Sequence, residues 1–215
     1  PEIVLTREDI GLPEEGFVFC CFNNTYKLTP KTFDSWARIL KKVEDSVLII
    51  FANNELSKTN LRREIIDRGV DSKRLIFGES LARPEYLARY RLADLFLDTL
   101  PYNAGTTASD ALRMGLPILT IKGDSYQARM GASIINAVGL PELITNTIEE
   151  YESLAIELAK NTDKLAAIKY KLIHNLSKTP LYNSKQFALS IETAFTEMNY
   201  KCHQGLKFDH IYVEL

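Results

Sequence analysis

Residues 92–117 read LADLFLDTLPYNAGTTASDALRMGLP, and this stretch is the most informative part of the sequence. It predicts a buried strand over residues 95–98, a short polar loop, and a helix that opens at Thr106 and Thr107. A second strand is predicted over residues 117–121. In α/β proteins, phosphorylated ligands bind where a parallel strand feeds a helix, because free backbone N–H groups meet the positive end of the helix dipole there.

The residue types in this loop suit a nucleotide diphosphate. Gly105 lets the backbone approach a ligand, and the hydroxyls of Thr106 and Thr107 add donors. Asp110 lies one helical turn further on, where a carboxylate accepts hydrogen bonds from ribose hydroxyls. A second interpretation is purely structural: Thr106 caps the helix, and Asp110 is a solvated acid that favours the dipole. The loop by itself leaves both open.

Composition narrows the class of protein. The chain has 215 residues, 46% of them hydrophobic and 25% charged, which is enough for one sizeable α/β domain. The net charge of −2 argues against nucleic acid as a partner. There is no apolar run of membrane-spanning length and no signal-peptide pattern, so we expect no membrane contact.

The cysteines indicate a reducing compartment. Cys20 and Cys21 alternate faces within an apolar run, so they are predicted to be core thiols rather than a disulfide. No Cys/His spacing indicates a metal site. These features predict a cytoplasmic protein. The first residue is Pro1 rather than Met, which we interpret as the start of a fragment or of a processed chain.

Strand and helix patterns alternate along the chain and predict a doubly wound, Rossmann-like parallel sheet. Residues 1–16 are predicted to be a connector, and residues 17–215 one domain that is helical from about residue 147. Ser57 is predicted to cap the second helix. The other strands are predicted over residues 17–22, 47–52, 74–77 and 142–144, and the other helices over 84–93, 131–138, 148–160, 163–176 and 184–203, with one more starting at Pro30.

Two further loops carry candidate binding residues. The loop after the first strand has no Walker or GxGxxG pattern, but it offers the amide of Asn24 and the charge of Lys27. Lys27 is either a phosphate contact or a solvated loop lysine. In the second loop, Tyr86 could stack on a nucleobase while backbone groups near Leu81 and Arg83 read its edge. The alternative is ordinary half-buried packing of the tyrosine.

Weaker candidates remain. Arg89 either meets a phosphate or pairs with Glu85 at helical spacing. Lys122 stands before a glycine and could contact a phosphate or sugar, whereas Ser125 is more simply a helix cap. No Ser-His-Asp or Cys-His pattern is present, and Asp98 lies at the end of a strand without metal-ligand spacing. The chain therefore offers a binding site but no general base.

Three segments in order carry a family resemblance: FCCFNNTYKLTP at residues 19–30, RLADLFLDTLPYNAGTTASDALRMGLPILT at 91–120, and GLPELI at 139–144. Together they resemble the C-terminal half of the catalytic region of O-linked N-acetylglucosamine transferases. The bacterial proteins in which this region follows tetratricopeptide repeats, and the plant SPINDLY-type proteins, look most similar. The resemblance runs from about residue 17 to the last helices.

The resemblance implies a fold and a reaction. The chain would be the C-terminal domain of a GT-B glycosyltransferase, whose two Rossmann-like domains face each other and whose C-terminal domain holds most of the UDP-sugar. The reaction would invert the anomeric centre, use no metal or other cofactor, and move N-acetylglucosamine from UDP to protein serine or threonine. The acceptor protein would bind through the missing N-terminal domain and repeats, so this chain alone is expected to be inactive.

The resemblance also implies residue roles. Asn24 and Lys27 would contact the diphosphate, and Lys27 would neutralise charge on the UDP leaving group. Thr106 and Thr107 would donate to the phosphates, and Asp110 would hold the ribose. The uracil would be surrounded by Leu81, Arg83 and Tyr86, with Arg89 nearby.

Two positions depart from the pattern of the family. Gly105 and Tyr86 stand where members commonly have histidine. The glycine removes a donor to phosphate or sugar, and the tyrosine keeps the stacking face but changes the polar edge. Gly105 therefore keeps open a non-catalytic nucleotide-binding or interaction module. A GT-B transferase or epimerase acting on a small molecule or lipid is a further alternative with the same fold.

Overall fold

The apolar runs of the sequence form one parallel sheet. The computed structural model describes residues 3–213, and within them six strands pair in the order β3-β2-β1-β4-β5-β6. Every pairing is parallel. The strands are β1 (Phe17–Cys21), β2 (Ser46–Phe51), β3 (Leu75–Gly78), β4 (Leu95–Leu97), β5 (Ile118–Ile121) and β6 (Ile144–Thr145).

The strand order sets the position of any ligand site. The chain winds outward from β1 to β3 and then returns to place β4 on the other side of β1, with Phe19 opposite Leu95. The loops that leave β1 and β4 therefore turn to opposite sides, and a crevice opens between them at the carboxyl edge. The predicted doubly wound, Rossmann-like fold is confirmed.

Side-chain caps fix most helix starts. Thr29 accepts the backbone N–H of Thr32 ahead of Pro30, and Thr147 accepts that of Glu150. The helices are α1 (Pro30–Lys42), α2 (Glu55–Asp67), α3 (Arg83–Ala88), α4 (Thr106–Arg113), α5 (Tyr126–Ala137), α6 (Ile148–Lys160), α7 (Thr162–Leu176) and α8 (Ser184–His203).

Several predicted boundaries were wrong. The cap of α2 is Asn54, whose side chain accepts the N–H of Ser57, because an asparagine oxygen reaches the third residue beyond it. The helix predicted over residues 131–138 begins earlier, at Tyr126, because the Ser125 hydroxyl caps it. The predicted helix over residues 84–93 tightens into a 3₁₀ turn after Ala88, and β6 starts only at Ile144 because residues 141–143 form another such turn.

Aromatic side chains lock the sheet to the helices on one face. Trp36 on α1 and Tyr151 on α6 are fully buried, and the indole N–H donates to the tyrosine oxygen at 3.2 Å. The Tyr151 hydroxyl in turn donates to the backbone carbonyl of Asp98 at 3.1 Å. This chain of bonds anchors the end of β4. Cys20 and Cys21 are buried free thiols, as predicted.

The segment before β1 packs on the domain. Leu12 is buried in the core, and the Arg7 guanidinium donates to the carbonyl of Gly16 and lies 3.7 Å from the Asp94 carboxylate. Residues 1 and 2 of the predicted connector, and residues 214 and 215 of the predicted domain, lie outside the described residues.

The last helix has a different character. α8 buries none of its side chains, and large apolar residues such as Phe187 and Phe195 are exposed on it. Over residues 3–213, no helix combines the length and the apolar character needed to cross a bilayer.

Gly131 packs closely against Asp98 and Thr120, at the edge of the sheet beside the candidate site. A Cβ atom there would lie 2.5 Å from the Asp98 carboxylate and 2.7 Å from the Thr120 hydroxyl. Gly131→Ala should therefore lower the free energy of unfolding by about 1–3 kcal/mol in urea denaturation, despite the better helix propensity of alanine. Gly105→Ala is the control, because its Cβ would meet only Met130 at 3.7 Å. Equal stability of the two variants would contradict the packing argument.

Candidate functional site

A cleft of about 410 Å³ opens at the switch point, between the loop after β1, the start of α3 and the start of α4. It shares Glu79, Leu81 and Arg89 with a hollow of about 720 Å³ beside β3. Eight of the ten predicted binding residues line the cleft: Asn24, Lys27, Leu81, Tyr86, Arg89, Gly105, Thr106 and Thr107. The other two, Arg83 and Asp110, do not line it.

One end of the cleft is the start of α4. The helix begins at Thr106 itself, and Gly105 is the residue before it, so the interpretation of Thr106 as a helix cap is wrong. Gly105 has no side chain to cap the helix, and its carbonyl accepts the N–H of Ser109 at 3.0 Å. The first backbone N–H groups of α4 are therefore left without a side-chain cap, which is the arrangement that suits an anion.

Lys27 brings a positive charge to the same end. Its ammonium donates to the backbone carbonyl of Asn103 at 2.9 Å and lies 4.0 Å from the ring centre of Tyr102. Burial lowers the pKa of Lys27, and the nearby Asp98 carboxylate opposes that shift. Lys27 is thus a half-buried lysine held by a carbonyl and a ring rather than a solvated loop lysine. Neither partner cancels its charge.

The Thr107 hydroxyl is already engaged. It donates to the Asn23 side-chain oxygen at 2.6 Å, and the Asn23 amide donates to the Thr99 hydroxyl at 2.8 Å. With its hydroxyl proton so used, Thr107 offers a ligand its backbone N–H. Asn23 is buried and is not among the binding residues predicted from the sequence. Its sequence signal was a polar residue placed directly after a buried strand.

Arg83 and Asp110 pair with each other at the rim of the cleft. The two guanidinium nitrogens donate to the two carboxylate oxygens at 2.8 and 2.7 Å. The Asp110 side chain is only 9% exposed, against 60% for Arg83, so the interpretation of Asp110 as a solvated acid is wrong. The Arg83 guanidinium also lies 5.2 Å from the ring centre of Tyr86. The residue that the resemblance assigns to uracil and the one that it assigns to ribose are therefore in direct contact with each other.

Arg89 is a packed cation. Its guanidinium carbon lies 3.7 Å from the ring centre of Phe22 and 4.6 Å from that of Tyr86, and it donates to the backbone carbonyl of Glu79 at 3.0 Å. The hydrogen bond goes to that carbonyl rather than to Glu85, so the predicted helical pair is not what holds it. Burial lowers the pKa of Arg89.

Asp98 is a functional candidate that was not predicted from the sequence. It is only 3% exposed, and one carboxylate oxygen accepts the backbone N–H groups of Thr99 and Ala104 at 2.8 and 2.7 Å. The other oxygen accepts the Thr120 hydroxyl at 2.7 Å. Burial raises the pKa of Asp98 from 3.8 to about 6, against these hydrogen bonds, which lower it.

The structure adds no ligand-binding role for Ser125 and no metal site among the described residues. Ser125 caps α5, which settles its role as structural. Within residues 3–213, no group of three or more His, Cys, Asp or Glu side chains could hold a metal ion. Independence from metal stays a prediction.

Comparison with known proteins identifies the family. Residues 1–191 match the model of glycosyl transferase family 41. The chain belongs to this family. It is 33% identical over 209 residues to a UDP-N-acetylglucosamine–peptide N-acetylglucosaminyltransferase of Caenorhabditis elegans, covering 97% of this chain and 18% of that protein. It is 34% identical over 193 residues to the probable enzyme SEC of Arabidopsis thaliana, covering 89% of this chain and 20% of that protein.

Solved structures agree with this assignment. A mutant O-GlcNAc transferase of Thermobaculum terrenum superposes with a TM-score of 0.81 at 32% identity, over 85% of this chain and 36% of that one. HepE of Anabaena, solved with UDP and glucose, shares the fold with a TM-score of 0.61 at 17% identity, over 87% of this chain and 51% of that one. The family 41 domain described here spans about a fifth of the length of the curated relatives it matches.

The raised pKa of Asp98 predicts a pH dependence of stability. The native chain holds the Asp98 proton up to about pH 6, whereas the unfolded chain releases it near 3.8. Between these values the native state binds more protons, so the free energy of unfolding falls as pH rises. The free energy of unfolding of wild type minus that of Asp98→Asn, which cannot titrate, should therefore fall by about 3 kcal/mol as pH rises across this window, measured by urea denaturation at a series of pH values. A flat difference would contradict the shifted pKa.

Proposed function

We propose that this domain holds the UDP part of a UDP-sugar donor for a glycosyltransferase that moves N-acetylglucosamine to serine or threonine of proteins. The observation that carries the proposal is the convergence of Lys27 and the uncapped start of α4 on one cleft at the switch point. The activities for which the relatives from Caenorhabditis elegans and Arabidopsis thaliana are named support the sugar and the protein acceptor. The UDP complex of HepE supports the nucleotide.

The chemistry of the cleft suits departure of UDP. When the bond between the anomeric carbon and the β-phosphate oxygen breaks, its electron pair stays on the phosphate and negative charge builds there. The Lys27 ammonium and the N–H groups at Thr106 and Thr107 are placed in advance to stabilise that charge. We propose that they take the part that a divalent metal has in other transferases, and that the acceptor hydroxyl attacks from the opposite face and inverts the centre.

The nucleoside would lie towards Tyr86 and the Arg83–Asp110 pair. Tyr86 presents a ring in the cleft, and its hydroxyl is bonded to that of Tyr90 at 2.7 Å, which holds the ring in place. For the ribose to reach Asp110, the exposed Arg83 side chain has to share or leave the carboxylate. The acceptor protein and the general base are proposed to come from parts of the enzyme outside this chain, so the domain alone should bind donor without transferring sugar.

Lys27→Ala tests the phosphate assignment. Loss of a charge-assisted hydrogen bond should weaken UDP binding in calorimetric titration by about tenfold to a hundredfold. Lys31→Ala is the matched control, because Lys31 is exposed in the first turn of α1 and does not line the cleft. We expect the same affinity with and without Mg²⁺. Wild-type protein that fails to bind UDP, or a Lys27→Ala variant that binds as well as wild type, would reject the proposal.

Gly105→His tests whether the position can supply a phosphate donor. The space beside Gly105 admits a side chain, since its Cβ would have only Met130 within 4 Å. An imidazolium there should tighten UDP binding below about pH 6.5 and have little effect above about pH 8. Gly105→Asn, which stays neutral at both values, is the control. A pH-independent effect of the histidine would place its side chain away from the phosphates.

A further inference from the structure

Lys27 and Thr107, at the proposed phosphate end of the cleft, are both connected by hydrogen bonds to one buried carboxylate, that of Asp98. The Asp98 oxygen Oδ1 accepts the N–H of Thr99 and that of Ala104, which are the two ends of the loop between β4 and Gly105. Because both ends are bonded to one oxygen, they are held close together. The loop then leads directly into Gly105 and α4.

Lys27 depends on the same loop. Its ammonium is held by the Asn103 carbonyl, and the Asn103 side chain donates to the Thr99 carbonyl at 2.7 Å and accepts the Gly131 N–H at 3.3 Å. The Asp98 carboxylate accepts the backbone N–H groups of Thr99 and of Ala104, the residue after Asn103. Moving either end of the loop would therefore move the carbonyl that positions the ammonium.

Thr107 depends on Asp98 by a second route. The amide of Asn23, which accepts the Thr107 hydroxyl, donates to the Thr99 hydroxyl at 2.8 Å and is 3.4 Å from Asp98 Oδ1. Because Asp98 can only accept there, the Asn23 nitrogen must face it and the Asn23 oxygen must face Thr107. The carboxylate thus sets which way the amide points.

We propose that Asp98 is the positioning residue for the phosphate-binding end of the cleft, acting through Ala104, Asn103 and Asn23 without touching the nucleotide. The proposal rests on the proposed function, since it concerns the same UDP site. The side of the carboxylate away from the loop, Oδ2, bonds only to the Thr120 hydroxyl among the side chains described, so the two oxygens have separable roles.

The test compares UDP with uridine, because only UDP carries the phosphates. Each ligand is titrated into the chain and followed by NMR. Asp98→Ala should weaken UDP by at least about tenfold and leave uridine within about twofold, since losing buried hydrogen bonds displaces the loop but not Tyr86. Asp98→Asn should restore the ratio of the two affinities, because its oxygen can still accept both N–H groups while its amide donates to Thr120. A general loss of packing would weaken both ligands together.

Thr120→Val is the matched control. It removes the hydrogen bond to Oδ2 and leaves the loop-facing oxygen unchanged, so it should lower stability without changing the UDP-to-uridine ratio. If Asp98→Ala does not fold, Asp98→Ser takes its place, with the same expectation. An unchanged ratio in folded Asp98→Ala, or in Asp98→Ser where that takes its place, overturns the proposal, and so does a ratio lowered as much by Thr120→Val. Failure of wild type to bind UDP would instead overturn the proposed function.

Discussion

The parallel pairing of β1 with β4 organises the domain and places its candidate site. Because the chain winds away from β1 and returns to its other side, two loops leave neighbouring strands in opposite directions. The candidate cleft lies where they part. Asp98 directly follows β4 at that point, and its buried carboxylate holds the loop while the Tyr151 hydroxyl donates to its backbone carbonyl.

The two cationic side chains that line the cleft are held by uncharged partners. Lys27 is held by a carbonyl and an aromatic ring, and Arg89 by two rings and a carbonyl. Neutral partners orient a cation without cancelling its charge, which suits a site meant for an anionic ligand. At the rim, in contrast, Arg83 is paired fully with Asp110. The two ends of the cleft therefore differ: at the proposed phosphate end the cation has neutral partners, and at the proposed nucleoside end it is paired with a carboxylate.

Most of the fold was accessible from the sequence, because it follows from short-range rules. Apolar runs covered on both faces predicted the strands, and the Thr29-Pro30 pair predicted the start of α1. Errors fell where two local signals competed. Asn54 and Ser57 are both good caps, and the sequence does not say which one lies at the bend. At the site, the loop after β4 was recognised from its residues, whereas Asp98 was passed over because a carboxylate at a strand end has no spacing that marks its role.

The doubly wound architecture, the family and the loops that carry the candidate site could be predicted from the sequence, since these depend on the order of residue types along the chain. The side-chain pairs that meet across the site became visible only in the folded domain. Arg83 meets Asp110 from 27 residues away, and Asn23 meets Thr107 from 84. Such pairs are set by how α3, α4 and the strand ends pack at one edge of the sheet. No periodicity or motif encodes that distance, because it arises only when the strands are laid side by side.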